Sequence, residues 1–342
     1  MKKQSCLIVL ACLLAGCDPP VVEGAVNVPA ADVAAKPTRA ALVIGDPIHA
    51  WVPDLMDTVA LGGPAGMAIL EDRLFIAEST GHQVAVFDTT LDFRGRISRP
   101  GSGPGELENP RYLVATPEGE LAVRDNGNAR ISIFSVDGRF RESLRTTPPA
   151  TQFAALGADR FVVGSTFGDG PSLVVIDDNG ADPFGPGIMG SIQELMWKAV
   201  VSGAAPDGDQ IVVTLSSEGD LQALSPDGSL IAERAFPPDI EQAIHARNED
   251  MQQAFPGSSS PYVKYLAPDP GRGLWILLPL KETPLIFFDF ATMDWVAVET
   301  SPAVTTQYLL QNAITIDVVG DRLFVLTGEQ LHVMPITRPE QD

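Results

Sequence analysis

The sequence predicts an all-β protein, a β-propeller of six four-stranded antiparallel blades. Three observations lead to this prediction. A pair of short apolar strands separated by a polar turn recurs six times, at intervals of about 45 residues. The 31 glycines and 29 prolines among 342 residues supply the turns that many short strands need. The turns are too short for parallel crossovers, so neighbouring strands must run antiparallel.

The paired strands of the six repeats define the body of the protein. The first strands begin at Leu74, Leu121, Phe161, Ile211, Leu274 and Leu323. The second strands begin at Val84, Ile131, Leu173, Leu221, Leu285 and Leu331. The last repeat has no outer strand of its own. We expect residues 39–60 to supply that strand and close the ring, because closure removes edges that would otherwise invite aggregation.

The longest interval between repeats holds an insertion at residues 237–261, between blades 4 and 5. Asp239, with Gln242 three residues later, is typical of a capping box at a helix start. An apolar stripe follows at helical spacing: Ile240, Ile244, Met251 and Phe255. The pattern predicts a helix over residues 239–255. It would lie on the face of the ring where the innermost strands begin, which we call the entry face.

The N-terminus has the features of an export signal. Lys2 and Lys3 precede a short apolar segment, and Leu14-Ala15-Gly16-Cys17 follows. This motif resembles the lipobox of bacterial lipoproteins, which implies that Cys17 carries a lipid and becomes the new N-terminus. An ordinary secretory signal is the alternative. The predicted domains are a signal peptide at residues 1–16, a flexible tether with lipidated Cys17 at 17–39, and the propeller at 40–342.

One repeat carries a recognisable motif. It begins with the glycine-rich run at residues 101–110 and continues through Asn128-Ala129-Arg130-Ile131 to Asp137-Gly138. This repeat resembles the NHL repeat of six-bladed propellers, which implies a fold but no particular activity. The glycine run does not match a phosphate loop, since Glu106 stands where a dinucleotide fingerprint has glycine. We therefore expect it to be a structural loop between blades.

Charge limits the choice of partners. The net charge of −21 makes the chain a poor partner for nucleic acid. Cations expected at the starts of the innermost strands stand out for this reason. They are Arg111, Lys198 and Lys264, with Tyr112 and Tyr262 beside two of them. These residues are candidates for a binding site for an anionic ligand at the channel mouth. Pairing with neighbouring carboxylates or with water is the simpler role and the one that the sequence favours.

The sequence shows no catalytic constellation. The four histidines fall in separate elements without the spacing of a zinc motif: His49, His82, His245 and His332. Four acidic residues beside the turns between second and third strands could bind a cation, although turn capping is the simpler role: Glu78, Asp125, Asp169 and Glu218. We therefore expect no metal and no cofactor.

These observations favour a lipid-anchored, non-catalytic module that binds a ligand or a partner protein at the bacterial cell envelope, outside the cytoplasm. The membrane would be reached through the lipid on Cys17. The alternative is an envelope hydrolase or lyase of the six-bladed class with a metal in the central channel.

Lipidation can be tested directly. We expect Cys17→Ser to release the protein from membranes or to block its processing, because the thiol carries the lipid. Membrane fractionation and mass spectrometry of the mature N-terminus are the measurements. An unmodified mature N-terminus at a residue other than Cys17 would contradict the prediction.

Overall fold

Six sheets are present in the computed structural model, within the residues that the structure describes, and their strands pair antiparallel except for one parallel pair in the sixth sheet. The described residues are 42–52, 60–146, 153–164, 173–185, 200–204, 207–215, 219–255, 263–301, 309–328 and 330–339. Five sheets contain four strands that follow one another in the chain. The sixth sheet combines strands from both ends of the described chain.

The strands of the six blades are as follows. Blade 1 consists of β3 (Pro64–Leu70), β4 (Arg73–Glu78), β5 (Gln83–Asp88) and β6 (Phe93–Ile97). Blade 2 consists of β7 (Pro110–Ala115), β8 (Glu120–Asp125), β9 (Arg130–Ser135) and β10 (Phe140–Arg145). Blade 3 consists of β11 (Phe153–Ala155), β12 (Phe161–Gly164), β13 (Leu173–Asp177) and β14 (Gly180–Pro183).

The remaining blades follow in the same order. Blade 4 consists of β15 (Val200–Ala204), β16 (Gln210–Leu215), β17 (Leu221–Leu224) and β18 (Leu230–Arg234). Blade 5 consists of β19 (Tyr265–Asp269), β20 (Gly273–Leu277), β21 (Leu285–Asp289) and β22 (Asp294–Val296). Blade 6 contains β24 (Thr315–Val319), β25 (Arg322–Leu326) and β26 (Leu331–Thr337), joined by β1 (Leu42–Ile44), β2 (His49–Trp51) and β23 (Val298–Thr300).

The blades form a closed ring. Their first strands contact one another in the cyclic order β3, β7, β11, β15, β19, β24 and again β3. The first strand of each blade is therefore the innermost strand, next to a central channel. The six-bladed propeller predicted from the repeats is confirmed.

Apolar side chains fill the space between each pair of neighbouring blades. In β8, Leu121 and Val123 pack against blade 1, whereas Ala122 packs against blade 3. Both faces of a blade are thus buried. This explains why the inner strands have continuous apolar runs instead of the alternation of a sheet with one solvent face.

Strands from the N-terminal part of the chain close the ring. β2 pairs antiparallel with β26, with His49 opposite Val333. β1 pairs antiparallel with the end of β26 and parallel with β23. Because β23 follows β22, the outer strand of blade 5, after one residue, β1 links blade 6 to the chain that leaves blade 5. At the neighbouring seam with blade 1, the Trp51 ring meets Phe87 edge to face at 5.3 Å between centroids. The expected closure by residues within 39–60 is confirmed.

Helix α1 (Pro238–Ala254) lies between β18 and β19. It buries Ile240 and Ile244 in the core between two blades, but Phe255 is 68% exposed, so only half of the predicted stripe is buried. In the numbering used here the helix connects blade 4 to blade 5; when the blade that β1 and β2 join is counted as the first, the same helix lies between blades 5 and 6, not between blades 4 and 5. The expected N-cap Asp239 is wrong. Pro237 is the N-cap, because Pro238 at the first helical position already has the φ angle that a helix start requires.

In the part of the chain that the structure describes, no helix is long and apolar enough to cross a membrane.

Ring closure by β1 and β2 has a measurable consequence. Compared with a variant lacking residues 1–35, deletion of residues 1–60 should lower the melting temperature by on the order of 10 °C. The reason is that the core loses the packing of Leu42 and Ile44, which are at most 5% exposed, and that β26 loses its outer partners β1 and β2. Thermal unfolding followed by circular dichroism is the measurement. Equal melting temperatures would show that the strands do not stabilise the ring.

Candidate functional site at the channel mouth

The entry face brings together α1, the start of β19 and the helical turn at residues 309–312. Lys264 directly precedes β19 and is half-buried. Its Nζ donates a hydrogen bond to the backbone oxygen of Gln311 at 3.0 Å. The Gln311 side chain in turn donates to the backbone oxygen of Lys281 at 2.9 Å. These bonds hold the Lys264 ammonium at the junction of blades 5 and 6.

A second cation lies close to Lys264. Burial lowers the pKa of Lys264, and the charge of Arg247 on α1 lowers this pKa further. Burial also lowers the pKa of Arg247 itself. The two partly buried cations therefore repel one another where α1 packs near the start of β19, and a nearby anion would relieve this repulsion.

Arg111 and Tyr112 come from the opposite side of the ring, on β7. Arg111 is exposed, and Tyr112 is half-buried against the core between blades 2 and 3. Burial raises the pKa of the Tyr112 hydroxyl, and the nearby charge of Arg111 opposes this effect.

At this level β3 approaches β7 so closely that a Cβ on Gly66 would lie 2.1 Å from the Arg111 backbone oxygen. Glycine is therefore required there.

Tyr265 lies below Lys264 and faces blade 6. Its hydroxyl is hydrogen-bonded to the Thr315 side chain of β24. Burial raises the pKa of Tyr265, and the hydrogen bond with Thr315 lowers it. The negative charges of the Asp317 carboxylate and of an ionised Tyr112 raise it further, because they repel a tyrosinate. β7 and β19 belong to opposite blades, so Tyr112 and Tyr265 start from opposite sides of the channel, and Tyr112 contributes to the raised pKa of Tyr265.

Asp317 is the deepest ionisable group of this cluster. Its Oδ1 accepts the Val318 N–H and its Oδ2 accepts the Ile69 N–H from β3, both at 2.8 Å. The carboxyl thus links blade 6 to blade 1. Burial raises the pKa of Asp317 to about 7, although the two backbone hydrogen bonds oppose this shift. We call Tyr112, Tyr265, Thr315 and Asp317 the channel cluster.

The predicted site residues are only partly accounted for. Arg111 and Tyr112 lie on β7, and Lys264 lies at the start of β19. Lys198, Tyr262 and Cys17 fall outside the described residues. Four further residues near the mouth and the channel were not predicted from the sequence: Arg247, Tyr265, Thr315 and Asp317. A signal existed for Asp317, since it is an acidic residue in the middle of an apolar innermost strand.

Two of the four acidic residues beside the blade turns, Glu78 and Asp125, hold neighbouring loops through salt bridges and hydrogen bonds. Glu78 forms a salt bridge with Arg96 at 2.7 Å and accepts the Gly62 N–H. Asp125 forms a salt bridge with Arg130 at 2.8 Å and accepts the Glu108 N–H. Asp169 and Glu218 fall outside the described residues. Among the residues described, no group of three or more His, Cys, Asp or Glu side chains could hold a metal ion.

The glycine-rich run at residues 101–110 forms a structural loop, as expected. The carboxylate of Glu106 accepts the Gly103 N–H at 2.8 Å. Arg130 donates to the backbone oxygens of Gly103 and Glu106. A phosphate would have to displace the Glu106 carboxylate to reach that amide.

Comparisons with known proteins support the fold. No family model matches the sequence. Over 105 residues the chain is 30% identical to the human E3 ubiquitin-protein ligase TRIM32. This match covers 31% of the chain and 15% of the length of that relative.

Solved structures resemble the chain over most of its length. A putative exported protein from Bacteroides fragilis has a TM-score of 0.53 at 13% identity, covering 90% of this chain and 98% of that one. Virginiamycin B lyase from Staphylococcus aureus has a TM-score of 0.49 at 10% identity, covering 84% and 99%. A gluconolactonase from Xanthomonas campestris has a TM-score of 0.49 at 13% identity, covering 87% and 98%. At such identities the similarity concerns the fold alone.

The raised pKa of Asp317 predicts a specific pH dependence. The folded protein keeps this proton to higher pH than the unfolded chain does, so the free energy of unfolding should fall as the pH rises from about 4 to about 7. Between pH 5 and pH 8, the wild-type protein should lose about 2 kcal/mol more than Asp317→Asn, which cannot ionise. Urea unfolding of both proteins at the two pH values is the measurement. Parallel losses would contradict the prediction.

Proposed function

We propose that this chain is a lipid-anchored propeller of the bacterial cell envelope that binds an anionic ligand, or an acidic group of a partner protein, at its entry face without catalysis. Lipid on Cys17 would hold it at a membrane surface, and the segment up to residue 39 would act as the tether. The propeller fold and its similarity to an exported protein are compatible with this role.

The observation that carries the proposal is the bonding of the entry-face cations. Within the described residues, neither Lys264 nor Arg111 forms a salt bridge, and the Lys264 ammonium donates to a backbone oxygen instead. Elsewhere, arginines of this acidic protein do pair with carboxylates, as Arg96, Arg130 and Arg338 do. The structural alternative, in which the entry-face cations serve neighbouring carboxylates, therefore lacks support at these two positions.

The surroundings make such a site effective. The charge of Arg247 adds to that of Lys264 beneath α1, and the low-dielectric walls of a channel mouth strengthen the field that an approaching anion meets. Tyr112 adds a hydroxyl and a flat ring next to Arg111. A carboxylate or a phosphate has the charge that this arrangement favours.

Substitution of the cations tests the proposal. The double variant Arg111→Met, Lys264→Met should bind citrate and inorganic phosphate at least about tenfold more weakly than the wild-type protein, because the field at the mouth is lost. Its melting temperature should fall by no more than about 4 °C, since the hydrogen bond from Lys264 to the Gln311 oxygen is lost but no carboxylate of the described residues loses a partner. Isothermal titration calorimetry at low ionic strength is the measurement.

The matched control removes the same kind of charge from the opposite face. Arg139→Met in the exposed turn between β9 and β10 should leave anion binding unchanged. An equal loss in this control would indicate a general effect of net charge. A fall in melting temperature of the double variant by about 10 °C or more would indicate that the cations are structural. Either result would overturn the proposal.

A second candidate is an envelope hydrolase or lyase with a metal in the central channel. The observation that favours it is Asp317, because a carboxyl with a raised pKa in a channel is suited to acid–base chemistry. Elemental analysis of the purified propeller distinguishes the two candidates. A stoichiometric bound metal would favour the enzyme.

A further inference from the structure

We propose that the channel holds a second subsite below the cationic mouth, in which Asp317 receives the protonated amine of a ligand beside Tyr265 and Tyr112. The ligand class is then a zwitterion, with an anionic group for the mouth and an amine for the channel. The inference rests on the proposed function in one respect, namely that the ligand enters through the entry face.

The other enclosed carboxylates of the ring provide the first argument. Glu78 pairs with Arg96 at 2.7 Å, Asp125 pairs with Arg130 at 2.8 Å, and Asp269 pairs with Arg338 at 2.7 Å. Asp317 differs, because backbone N–H groups are its hydrogen-bond donors and no Lys or Arg of the described residues forms a salt bridge with it. An enclosed carboxylate is stable only when a cation or a proton compensates its charge. Among the described residues, none supplies such a cation to Asp317.

Accessibility provides the second argument. Glu78, Asp125 and Asp269 are at most 2% exposed, so a ligand cannot reach them. Asp317 is surrounded by protein but keeps accessible surface, as do Tyr265 and Tyr112. Groups that are deep in a ring and still accessible border its channel. A small cation entering the channel can therefore reach the free lone pairs of the carboxylate.

The neighbours of Asp317 provide the third argument. Tyr265 and Tyr112 keep accessible surface and present hydroxyl oxygens and aromatic rings, and neither of them is charged at neutral pH. Hydroxyl oxygens accept hydrogen bonds from an ammonium group, and aromatic faces attract it. A second anion would be repelled by Asp317. The cluster therefore selects a protonated amine.

The positions of the residues along the strands set the size of the ligand. Lys264 directly precedes Tyr265, whose hydroxyl bonds to Thr315, and Asp317 lies two residues further along β24. With about 3.3 Å per residue in a strand, the two charged subsites are on the order of 10 Å apart. An α-amino acid is too short to bridge them. An amine and a carboxylate at the ends of a chain, as in 6-aminohexanoate or a short peptide, fit better.

Three probes of one length separate the two subsites. They are 6-aminohexanoate, hexanoate and hexylamine, measured by calorimetry at pH 8, where the carboxylate is ionised. The wild-type protein should bind 6-aminohexanoate at least about tenfold more tightly than hexanoate. In Asp317→Asn this preference should disappear, whereas the exposed control Asp72→Asn on the opposite face should keep it.

The outcomes distinguish the inference from the proposed function. Equal affinities of the wild-type protein for 6-aminohexanoate and hexanoate would overturn the inference without any need for a variant. A preference that persists in Asp317→Asn would overturn it too, because the amine would then bind elsewhere. Hexylamine that binds through Asp317, together with hexanoate that does not bind, would uphold the subsite and overturn the anion site.

Discussion

The pairing of β1 and β2 with β26 is the interaction on which the remaining structure depends. Without it, the last blade would end in an unpaired edge, and the core between blades 6 and 1 would lack Trp51. The candidate site needs the closed ring, because its residues come from blades 2, 5 and 6 and from α1. None of these elements forms a pocket alone, and only ring closure places their side chains around one channel.

Electrostatics divides the molecule into two regions. At the turns, buried carboxylates pair with arginines and fix loops between and within blades, as Asp125 and Arg130 do. At the channel, Lys264 and Asp317 form hydrogen bonds with backbone groups instead of salt bridges. Their charges can therefore interact with a ligand. Arg124 belongs to neither region: it is fully buried, Thr146 accepts from one of its amino groups, and its Nε and Nη2 have no acceptor. Nothing in the described residues explains it.

The sequence predicted the architecture because each blade repeats one pattern of strands and turns, and the incomplete last repeat indicated how the ring closes. It could not predict the channel cluster. Both faces of every blade are buried, so the apolar pattern does not show which residues of an innermost strand border the channel. Tyr265 of blade 5 contacts Thr315 of blade 6, and this contact depends on how far the two blades are shifted relative to one another along the channel. The N-cap of α1 was misplaced because Asp239 fits a capping box, while Pro238 fixes the helix start one residue earlier.

Native-state hydrogen exchange tests the central claim, that the N-terminal strands make the ring one cooperative unit. The probes are the backbone amides of β26 that pair with β2, and the Ile69 amide, whose N–H donates a hydrogen bond to Asp317 across the seam between blades 6 and 1. If closure by β1 and β2 makes the ring one unit, these amides exchange only through global unfolding, with the same free energy as the amides of β12 and β16. Exchange of the seam amides at a markedly lower free energy would show that blade 6 opens independently, and would contradict the account.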